Sequence, residues 1–282
     1  MTRPDGKTAL VTGSTDGVGR LVAKRLAEAS FHVYVHGRDR TRGEQVVAEI
    51  RSKGGAAEFL GADFSALAEV RGLAKTVIDS ADRLDVLVNN AGIGSAGAAG
   101  TRQTSRDGYE LRFAVNYLAG FALTRLLLPL LKASAPARIV NVSSLGQQAI
   151  DFSDVMLIRH YTGTRAYCQS KLAQILFTVD LADELRGSGV TVNALHPATY
   201  MDTTMVRAAG VRPVSTVDEG AEAILQLALS PALAGRSGLY FNGMREARAN
   251  AQAYDADARG RLRAISNDLT PSSSGEIRRG TW

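Results

Sequence analysis

The sequence predicts an α/β protein built on one doubly wound parallel sheet of about seven strands, with helices on both faces. Short β-branched runs alternate with longer amphipathic runs along most of the 282 residues, which is the pattern of consecutive βαβ units. Runs such as 86–88 and 139–142 are almost wholly apolar, as in strands covered on both faces. A glycine-rich segment, residues 12–19, joins the first strand to the first helix.

Each element follows from the same alternation. Apolar runs bounded by turn residues predict strands at 8–11, 31–36, 57–60, 84–89, 138–142, 190–195 and 239–241. Apolar residues spaced three and four apart predict helices at 19–29, 42–53, 67–80, 109–132, 165–187 and 217–229. No shift in composition marks a second domain, so residues 1–269 are expected to form one domain.

Two connections are too long to be simple turns. Residues 146–164 follow the fifth strand and residues 199–215 follow the sixth, at the carboxyl edge where open α/β sheets bind ligands. We therefore expect both to be substrate loops. The serine-containing segment 270–282 is expected to be a flexible C-terminal tail.

Composition argues against several classes of function. The 33 Lys and Arg residues are scattered and nearly matched by 28 Asp and Glu, so no nucleic-acid partner is expected. The single cysteine, Cys168, excludes an intrachain disulfide. No apolar run reaches the roughly 18–20 residues that span a bilayer, and no signal peptide is evident, so we expect a cytoplasmic protein without a membrane partner. Four histidines, with no carboxylates at ligand spacing, predict no metal site.

The segment after the first strand has the features of a phosphate-binding turn. Its three glycines allow a tight turn and a close approach of the backbone to a pyrophosphate. The N-terminus of the next helix offers free N–H groups and the positive end of its dipole. This placement predicts a Rossmann-type dinucleotide site. The residues expected to border the cofactor here are Gly13, Ser14, Asp16, Gly17, Val18 and Gly19.

The end of the second strand bears on the choice of dinucleotide. Gly37 stands where an NAD-selective site has an acidic residue, and Arg38 follows it. A guanidinium suits a 2′-phosphate through paired, charge-assisted hydrogen bonds, so NADP(H) is the expected cofactor. Asp39 keeps NAD(H) as the less favoured alternative, should its carboxylate point inward.

Tyr167 and Lys171 are four residues apart within a helical segment. This spacing places both side chains on one helix face, about 5–6 Å apart at Cβ. A nearby ammonium favours the phenolate and can lower a tyrosine pKa from its usual value near 10. Such a phenol suits general acid/base work on an alcohol or carbonyl. A solvated surface pair has the same spacing, so the interpretation depends on the nucleotide-binding segment as well.

Over residues 7–242 the chain resembles the short-chain dehydrogenase/reductase family. The matching motifs, in order, are Thr12-Gly13-x-x-x-Gly17-x-Gly19, Gly61-Ala62-Asp63, Asn89-Asn90-Ala91-Gly92, Ala114-Val115-Asn116-Tyr117, Asn141-Val142-Ser143-Ser144 and Tyr167-x-x-x-Lys171. The resemblance implies hydride transfer between a nicotinamide cofactor and a ketone, aldehyde or alcohol. It also implies a homodimer or homotetramer, formed by the helices at 109–132 and 165–187.

The resemblance implies a role for each matched residue. Tyr167 would exchange a proton with the substrate, and Lys171 would lower its pKa and bind the nicotinamide ribose. Ser144 would donate a hydrogen bond to the substrate oxygen, and Asn116 would anchor a water for proton resupply. Ser144 is preferred to Ser143 because successive side chains alternate in an extended segment. The other residues expected to border the cofactor are Asp63, Phe64, Asn89, Asn90, Ala91, Gly92, Pro197 and Thr199.

The chain departs from the family pattern after the sixth strand. The family has Pro-Gly there, whereas this chain has Pro197-Ala198. The family's threonine five residues beyond that proline is Asp202, with Thr203 next. Either Thr199 or Thr203 would then meet the nicotinamide carboxamide.

Within the family, several strings resemble the retinol-dehydrogenase and WW-domain-oxidoreductase branch, among them 138–144, 166–173 and 187–191. Apolar residues in both substrate loops favour a medium-sized apolar carbonyl or alcohol substrate, although Arg159 and Arg207 leave a carboxylate substrate open. The alternative function is a non-catalytic NADP(H)-binding protein that senses redox state or binds a partner.

Overall fold

The computed structural model describes residues 6–95 and 101–271. Eight strands form one sheet in the order β3-β2-β1-β4-β5-β6-β7-β8. The strands are β1 Thr8–Val11, β2 His32–Gly37, β3 Ala56–Gly61, β4 Val86–Asn89, β5 Ala137–Val142, β6 Val190–His196, β7 Tyr240–Asn242 and β8 Arg245–Ala247. The first seven run parallel, and β8 pairs antiparallel with β7. The α/β prediction is confirmed, with one strand more than expected.

Helices cover both faces of the sheet. They are α1 Gly17–Glu28, α2 Arg40–Ser52, α3 Leu67–Ser80, α4 Ala119–Ala133, α5 Gly163–Glu184, α6 Thr204–Ala208, α7 Val217–Leu229 and α8 Ala256–Leu269. A π-helix, Phe113–Leu118, leads directly into α4, and short 3₁₀ turns lie at Pro231–Leu233 and Ala251–Tyr254. The helices expected at 67–80 and 217–229 have the predicted bounds.

Alternating strand side chains feed two cores, one on each face. Leu10, Leu87 and Ile139 join the core formed with α3, α4, α5 and α8. Ala9 and Val88 point the other way, into the core formed with α1, α2 and α7. Because every central strand is buried on both faces, its sequence is apolar without alternation.

No pattern in the sequence predicts β8, α6 or α8. β8 has only three residues, two of them charged, and α6 has only five residues, within the expected loop 199–215. α8 buries only Ala258, Leu262, Ser266 and Leu269, spaced along one face of a polar helix. It packs on α5, where Arg263 pairs with Asp180 at 2.9 Å.

The π-helix and α4 form a continuous helical segment, Phe113–Ala133, that is long and apolar enough to cross a bilayer. In its most apolar window 67% of the residues are buried inside the protein, as in the core helix of a soluble protein. Of the expected C-terminal tail, Thr270 and Pro271 are described, and residues 272–282 lie outside the described residues.

Candidate active site

The candidate site lies at the carboxyl edge of the sheet. The strand order reverses between β1 and β4, which leaves a crevice where open α/β sheets bind ligands. The glycine-rich segment ends β1 on one side of this crevice. Asn89 to Gly92 end β4 on the other side, and the turn after β5 carries Ser144.

The glycine-rich turn requires its glycines. Gly13 has φ +63°, and a Cβ there would lie 2.7 Å from the Cα of Ala91. Gly17 has φ +53° at the first position of α1. A Cβ at Gly19 would lie 2.4 Å from both the Asn90 amide nitrogen and the Gly13 carbonyl oxygen. The backbone at the start of α1 is therefore bare and close-packed, which fits a pyrophosphate at a helix N-terminus.

The structure does not bring the Ser14 side chain to the crevice. Ser14 is 0% exposed, and its hydroxyl donates to the Val11 carbonyl and accepts from the His36 N–H. The Ser14 N–H is also bonded, to the His36 carbonyl. The hydroxyl and the N–H of Ser14 thus hold the turn together, and its contact with the cofactor stays a prediction.

The Asp16 side chain caps α1. Its carboxylate accepts from the Gly17 N–H at 2.7 Å and lies 3.7 Å from Arg42. This ion pair offsets a negative charge beside the phosphate-binding turn. Val18 is buried under the turn and packs toward the position of Gly220.

Asn90 joins the two sides of the crevice. Its amide nitrogen donates to the carbonyls of Thr12 and Gly13 at 2.8 and 3.0 Å. The Thr12 hydroxyl accepts from the backbone N–H groups of Asn90 and Ala91. Asn89 lies deeper, where it donates to Thr124 and Asn141. Asn90 thus fixes the crevice by hydrogen bonds to its backbone, whereas Asn89 bonds two buried side chains behind it.

His36 is a residue of the site that the sequence did not single out. Its Nδ1 accepts from the Gly13 N–H at 3.1 Å, so Nε2 carries the proton and donates to the Ala62 carbonyl at 3.2 Å. The ring stacks on Phe64 at 4.4 Å. Burial lowers the pKa of His36 from 6.5 to about 4. A neutral imidazole therefore ties the glycine turn to the ends of β2 and β3.

The end of β2 bears on the dinucleotide. A Cβ at Gly37 would lie 2.5 Å from the Thr15 methyl, so a larger side chain there would displace the turn. Arg38 is exposed, with no hydrogen bond or ion pair to the described residues. Asp39 caps α2 by accepting from the Arg42 N–H at 3.0 Å, and its carboxylate also lies 3.5 Å from the Arg42 guanidinium. It is thus engaged with its own helix rather than turned inward.

Asp63 and Phe64 follow β3 on the adenine side expected from the resemblance. The Asp63 carboxylate accepts from the Ser65 N–H at 2.9 Å and lies 3.4 Å from Arg106. Phe64 is buried against His36. The expected adenine-contacting carboxylate is therefore already paired with a cation, while the Phe64 ring supports the turn from below.

Tyr167 and Ser144 meet at the bottom of the crevice. A Cβ at Gly146 would lie 3.5 Å from both the Ser144 hydroxyl oxygen and a ring carbon of Tyr167. Burial raises the pKa of Tyr167, and a hydrogen bond with Ser144 opposes that shift. Ser143 points away, its hydroxyl donating to the Lys171 carbonyl. The alternation expected of the two serines is what the structure has.

Lys171 is expected to lower the pKa of Tyr167, whereas in the structure that pKa is raised. Its ammonium donates to the Val142 carbonyl at 2.9 Å and to the Gln174 side chain at 3.1 Å, and lies 5.8 Å from the Tyr167 ring centre. Burial lowers the pKa of Lys171 from 10.5 to about 8. Desolvation by burial is the largest cause of both pKa shifts, and the ammonium is directed at a carbonyl rather than at the phenol.

Asn116 lies in the π-helix, which the sequence did not predict. Its side-chain oxygen accepts from the Ile93 N–H at 2.7 Å, and its nitrogen donates to the Ile93 carbonyl and the Ser170 hydroxyl. A Cβ on Gly92 would lie 3.2 Å from the Asn116 oxygen and 3.5 Å from the Lys171 nitrogen. The structure therefore brings Asn116, Gly92 and Lys171 together. Short π-helical segments within helices are frequent at functional sites.

Pro197 and Thr199 follow β6. Pro197 is buried, and the Thr199 hydroxyl lies 3.0 Å from Nε2 of His196. Burial, and then the charge of Lys171, lower the pKa of His196 to about 4. The Thr203 hydroxyl caps α6, and its methyl group lies near Gly17. Both threonines border the crevice. Either Thr199 or Thr203 could therefore meet the nicotinamide carboxamide, as the sequence predicts.

The two substrate loops divide between the core and the surface. Met156 and Leu157 are buried, whereas Ile158, Tyr200 and Met205 are among the exposed large apolar residues. Arg159 pairs with Asp154, and Arg207 makes two hydrogen bonds to Asp202 at 2.6 and 2.7 Å. Both candidate carboxylate-binding guanidiniums are thus already paired. No cluster of three His, Cys, Asp or Glu side chains suited to a metal ion occurs within residues 6–95 and 101–271.

Comparison with known proteins decides the family. The family model for short chain dehydrogenases matches residues 7–212. The chain belongs to the short-chain dehydrogenase family. It is 36% identical to retinol dehydrogenase 13 of Homo sapiens, over 97% of this chain and 87% of that protein. It is 38% identical to retinol dehydrogenase 11 of Homo sapiens, over 94% of this chain and 86% of that protein.

Solved structures agree with this short-chain dehydrogenase fold. An uncharacterised protein of Mycobacterium paratuberculosis superposes with a TM-score of 0.76 at 28% identity, over 96% of this chain and 95% of that one. The RhlG/NADP active-site complex of Pseudomonas aeruginosa superposes with a TM-score of 0.68 at 28% identity, over 85% and 95%. The protein is therefore an oxidoreductase similar to retinol dehydrogenases, in a family that binds NAD(P).

Proposed function

We propose that this protein is an NADP(H)-dependent oxidoreductase that interconverts a ketone or aldehyde and an alcohol, with Tyr167 as the general acid/base. The observation that supports it best is the convergence of Tyr167, Ser144 and Lys171 within a glycine-lined crevice. The bare backbone at Gly13 and Gly19 fits a dinucleotide there. NADPH, when bound, supplies a hydride to the substrate carbon.

The residues of the chain supply the proton and hold the developing charge. In the reduction direction Tyr167 is protonated, because burial raises its pKa, and it gives its proton to the carbonyl oxygen. The Ser144 hydroxyl donates to the same oxygen and stabilises the negative charge that develops on it. Lys171 has a lowered pKa of about 8, and its ammonium lies 5.8 Å from the centre of the phenol ring. Asn116 holds the Ile93 backbone opposite Gly92.

NADP(H) rather than NAD(H) is proposed from the end of β2. Arg38 is exposed and unpaired among the described residues, so its guanidinium is free to meet a 2′-phosphate. Asp39, the residue that would favour NAD(H), caps α2 instead. The NADP complex of the RhlG structure concerns that protein, and the proposal here stands on Arg38 and Asp39.

An apolar substrate of medium size is proposed from the loops that border the crevice. Tyr200, Met205 and Val214 expose large apolar side chains in the segment 199–215, and Leu145 and Ile158 do so next to and within 146–164. Similarity to retinol dehydrogenases favours the same class of alcohol or aldehyde. Pairing of Arg159 and Arg207 with nearby carboxylates disfavours an acidic substrate.

A spectrophotometric assay tests the proposal. NADPH oxidation is measured with decanal, benzaldehyde, acetophenone and all-trans-retinal, using the wild type and Tyr167→Phe. We expect turnover of at least one compound and a loss of about 10²–10⁴-fold in Tyr167→Phe, with NADPH affinity retained. Tight NADPH binding without turnover of any compound would instead favour the non-catalytic sensing function, which the retained Asn116, Ser144, Tyr167 and Lys171 disfavour.

The rates of alcohol oxidation and carbonyl reduction should depend on pH in different ways. Alcohol oxidation needs the Tyr167 phenolate, and its raised pKa predicts that the oxidation rate climbs on the alkaline side. Carbonyl reduction needs the protonated phenol and should stay level through neutral pH. A reduction rate that falls as pH drops below neutrality would contradict this assignment.

Assembly and location stay predictions. The predicted homodimer or homotetramer would form through the helices at 109–132 and 165–187, which correspond to the π-helix with α4 and to α5. However, ten successive residues of α5, 169–178, are buried within one chain, and α8 lies against that helix. Light scattering on the purified protein would measure the mass directly. We likewise propose a cytoplasmic location without a membrane partner.

A further inference from the structure

A buried charged cluster lies beside the proposed site and has no part in the chemistry described above. Arg112 and Glu110 have side chains that are 4% and 1% exposed, with 3.7 Å between their charged groups. The Arg112 Nη1 donates to the Tyr161 hydroxyl at 2.6 Å, and that hydroxyl donates to Glu110 at 3.3 Å. Three side chains thus share one enclosed set of hydrogen bonds.

The cluster joins segments that are far apart in sequence. Arg112 donates from Nε to the Gly94 carbonyl at 2.9 Å and from Nη2 to the Ser95 carbonyl at 3.0 Å. Tyr161 belongs to the substrate loop 146–164, two residues before α5 begins. Arg112 therefore fastens the segment after β4 to the end of the substrate loop.

Two neighbouring contacts bring the cluster to the crevice itself. Asn116, four residues after Arg112, holds both backbone groups of Ile93. Together the two side chains bind the backbone of three consecutive residues, 93–95. On the other side of that segment, a Cβ at Gly94 would lie 3.2 Å from Met205 in α6. The segment 93–95 thus forms one wall between the π-helix and the second substrate loop.

The substrate loop needs an anchor because its backbone is strained. Leu157 and His160 have φ of +49° and +50°, a conformation that non-glycine residues rarely adopt. Such residues persist only where surrounding contacts hold them. Tyr161 follows His160 directly, and its hydroxyl is fixed by Arg112 and Glu110. Glu110 also receives the Phe113 N–H, which ties the anchor to the start of the π-helix.

A buried ion pair contributes little net stability, because desolvation of both charges offsets their attraction. A hydrophobic trio of similar volume would hold the fold as well. The cluster is therefore better explained by geometry. The planar guanidinium fork directs three donors at two carbonyls and a phenol, which an apolar cluster could not reproduce.

We propose that Arg112, Glu110 and Tyr161 form a positioning cluster that holds the segment 93–95 against the substrate loop and so sets the width of the carbonyl-substrate cleft. The inference rests on the proposed function of the adjacent site. Tyr161 does not act as a second acid/base, since its hydroxyl is bonded to both Arg112 and Glu110. The cluster acts on substrate fit and leaves the dinucleotide turn untouched.

Hydrogen–deuterium exchange tests the coupling without any turnover. In Tyr161→Phe, peptides that include 93–95 and peptides that include 155–161 should both exchange faster than in the wild type. The matched control is Tyr34→Phe in β2. It removes another tyrosine hydroxyl, which is bonded to Ser80 at 2.9 Å. That control should leave both segments unchanged. Faster exchange at 155–161 alone, or at neither segment, would overturn the proposal.

Kinetics test the consequence for substrate. With a carbonyl compound that the wild type reduces, Tyr161→Phe should lose about 10-fold or more in kcat/KM, because a small displacement of the wall misplaces the substrate. The dissociation constant for NADPH should change by less than about two-fold, since no dinucleotide residue is touched. Equal losses in both would assign the cluster to general stability and overturn it.

A charge-conserving variant separates geometry from electrostatics. Arg112→Lys keeps the positive charge beside Glu110 but has no fork, so it should show the same raised exchange at 93–95 as Tyr161→Phe. Wild-type exchange in Arg112→Lys would show that charge alone suffices and would refute the positioning role. If the wild type reduces none of the compounds, the proposed function fails, and the exchange experiments still decide the coupling.

Discussion

The cofactor side and the substrate side of the crevice are held in different ways. On the cofactor side, which comprises the ends of β1, β2 and β4, the decisive positions are those without a side chain, such as Gly13 and Gly19. On the substrate side, which comprises 146–164, 199–215 and the chain after β7, long polar side chains reach distant backbone groups. Gln252, for example, bonds both the N–H and the carbonyl of Ile150, 102 residues away.

This difference explains why the sequence predicts the glycines of the cofactor side but not the anchoring side chains of the substrate side. A close approach of two backbones demands glycine at fixed positions, so the constraint leaves a motif. A hydrogen bond from a glutamine to a remote loop can be made from many positions and leaves none. We therefore expect glycine substitutions on the cofactor side to act through shape, and substitutions of long polar side chains on the substrate side to act through lost anchors.

The largest effect is expected from a methyl group at Gly13. Gly13→Ala combines a left-handed backbone with a Cβ 2.7 Å from Ala91, and should lower the free energy of unfolding by about 2–5 kcal/mol. The matched control is Gly54→Ala, which has φ +82° and nothing within 4 Å of the added Cβ. It should lose only about 1–2 kcal/mol. Urea unfolding measures both, and equal losses would show that close packing at the turn is unimportant.

The next effect concerns His36 and pH. Its pKa is lowered from 6.5 to about 4 by burial, so the folded protein binds fewer protons than the unfolded chain in that range. The stability tied to neutral His36 is present above pH 6.5 and is lost as pH falls through about 4. The loss is on the order of 3 kcal/mol.

The His36 prediction is checked by unfolding the wild type and His36→Gln at several pH values. The difference in stability between the two proteins should shrink on acidification, since glutamine does not titrate. His196, whose pKa is lowered in the same way, is present in both proteins and cancels. A constant difference from pH 7 to pH 4 would contradict a buried neutral His36.

Arg38→Ala should weaken NADPH binding by about 10- to 100-fold and leave NADH binding unchanged, because only NADPH carries the 2′-phosphate. Arg40→Ala is the control: Arg40 is also an exposed arginine, but it pairs with Glu44 on its own helix. Fluorescence titration of both dinucleotides measures the change. Equal weakening of NADH by Arg38→Ala would remove the basis for NADP(H) selectivity.

The smallest effect is expected on the substrate side. Gln252→Ala removes the two hydrogen bonds to Ile150, at 2.6 and 3.1 Å, and should raise KM for the carbonyl substrate roughly two- to ten-fold. NADPH affinity should not change. Gln45→Ala, on the exposed face of α2, serves as the control. A loss of NADPH affinity in Gln252→Ala would mean that the two sides are not held independently.

Much of the fold followed from the sequence, for physical reasons. Central strands buried on both faces are apolar throughout, and seven of the eight strands were expected close to where they lie. β8 and α6 are too short to show a period. α8 is a polar helix whose buried face has only four residues, so its pattern does not stand out.

The candidate site was expected in part. The glycines, Tyr167, Ser144 and Lys171 belong to motifs with fixed spacing, and the structure brings them together. The sequence does not show which way the Ser14 hydroxyl points, because a hydroxyl within a turn can face inward, as it does here, as readily as outward. His36 and Arg112 gave no signal, since a histidine ending a strand and an arginine beginning a helix are ordinary in sequence. Their roles come from bonds to Gly13, 23 residues away, and to Ser95, 17 residues away.

Deuterium transfer tests whether hydride from NADPH and a proton from Tyr167 together reduce the carbonyl group. The wild type is given NADPH that carries deuterium at the transferable nicotinamide position, together with a carbonyl compound, and the alcohol is analysed by mass spectrometry. We predict one deuterium in the alcohol from the wild type, and formation slower by about 10²-fold or more in Tyr167→Phe at equal NADPH occupancy. Alcohol formed by Tyr167→Phe at the wild-type rate would contradict proton transfer from this phenol.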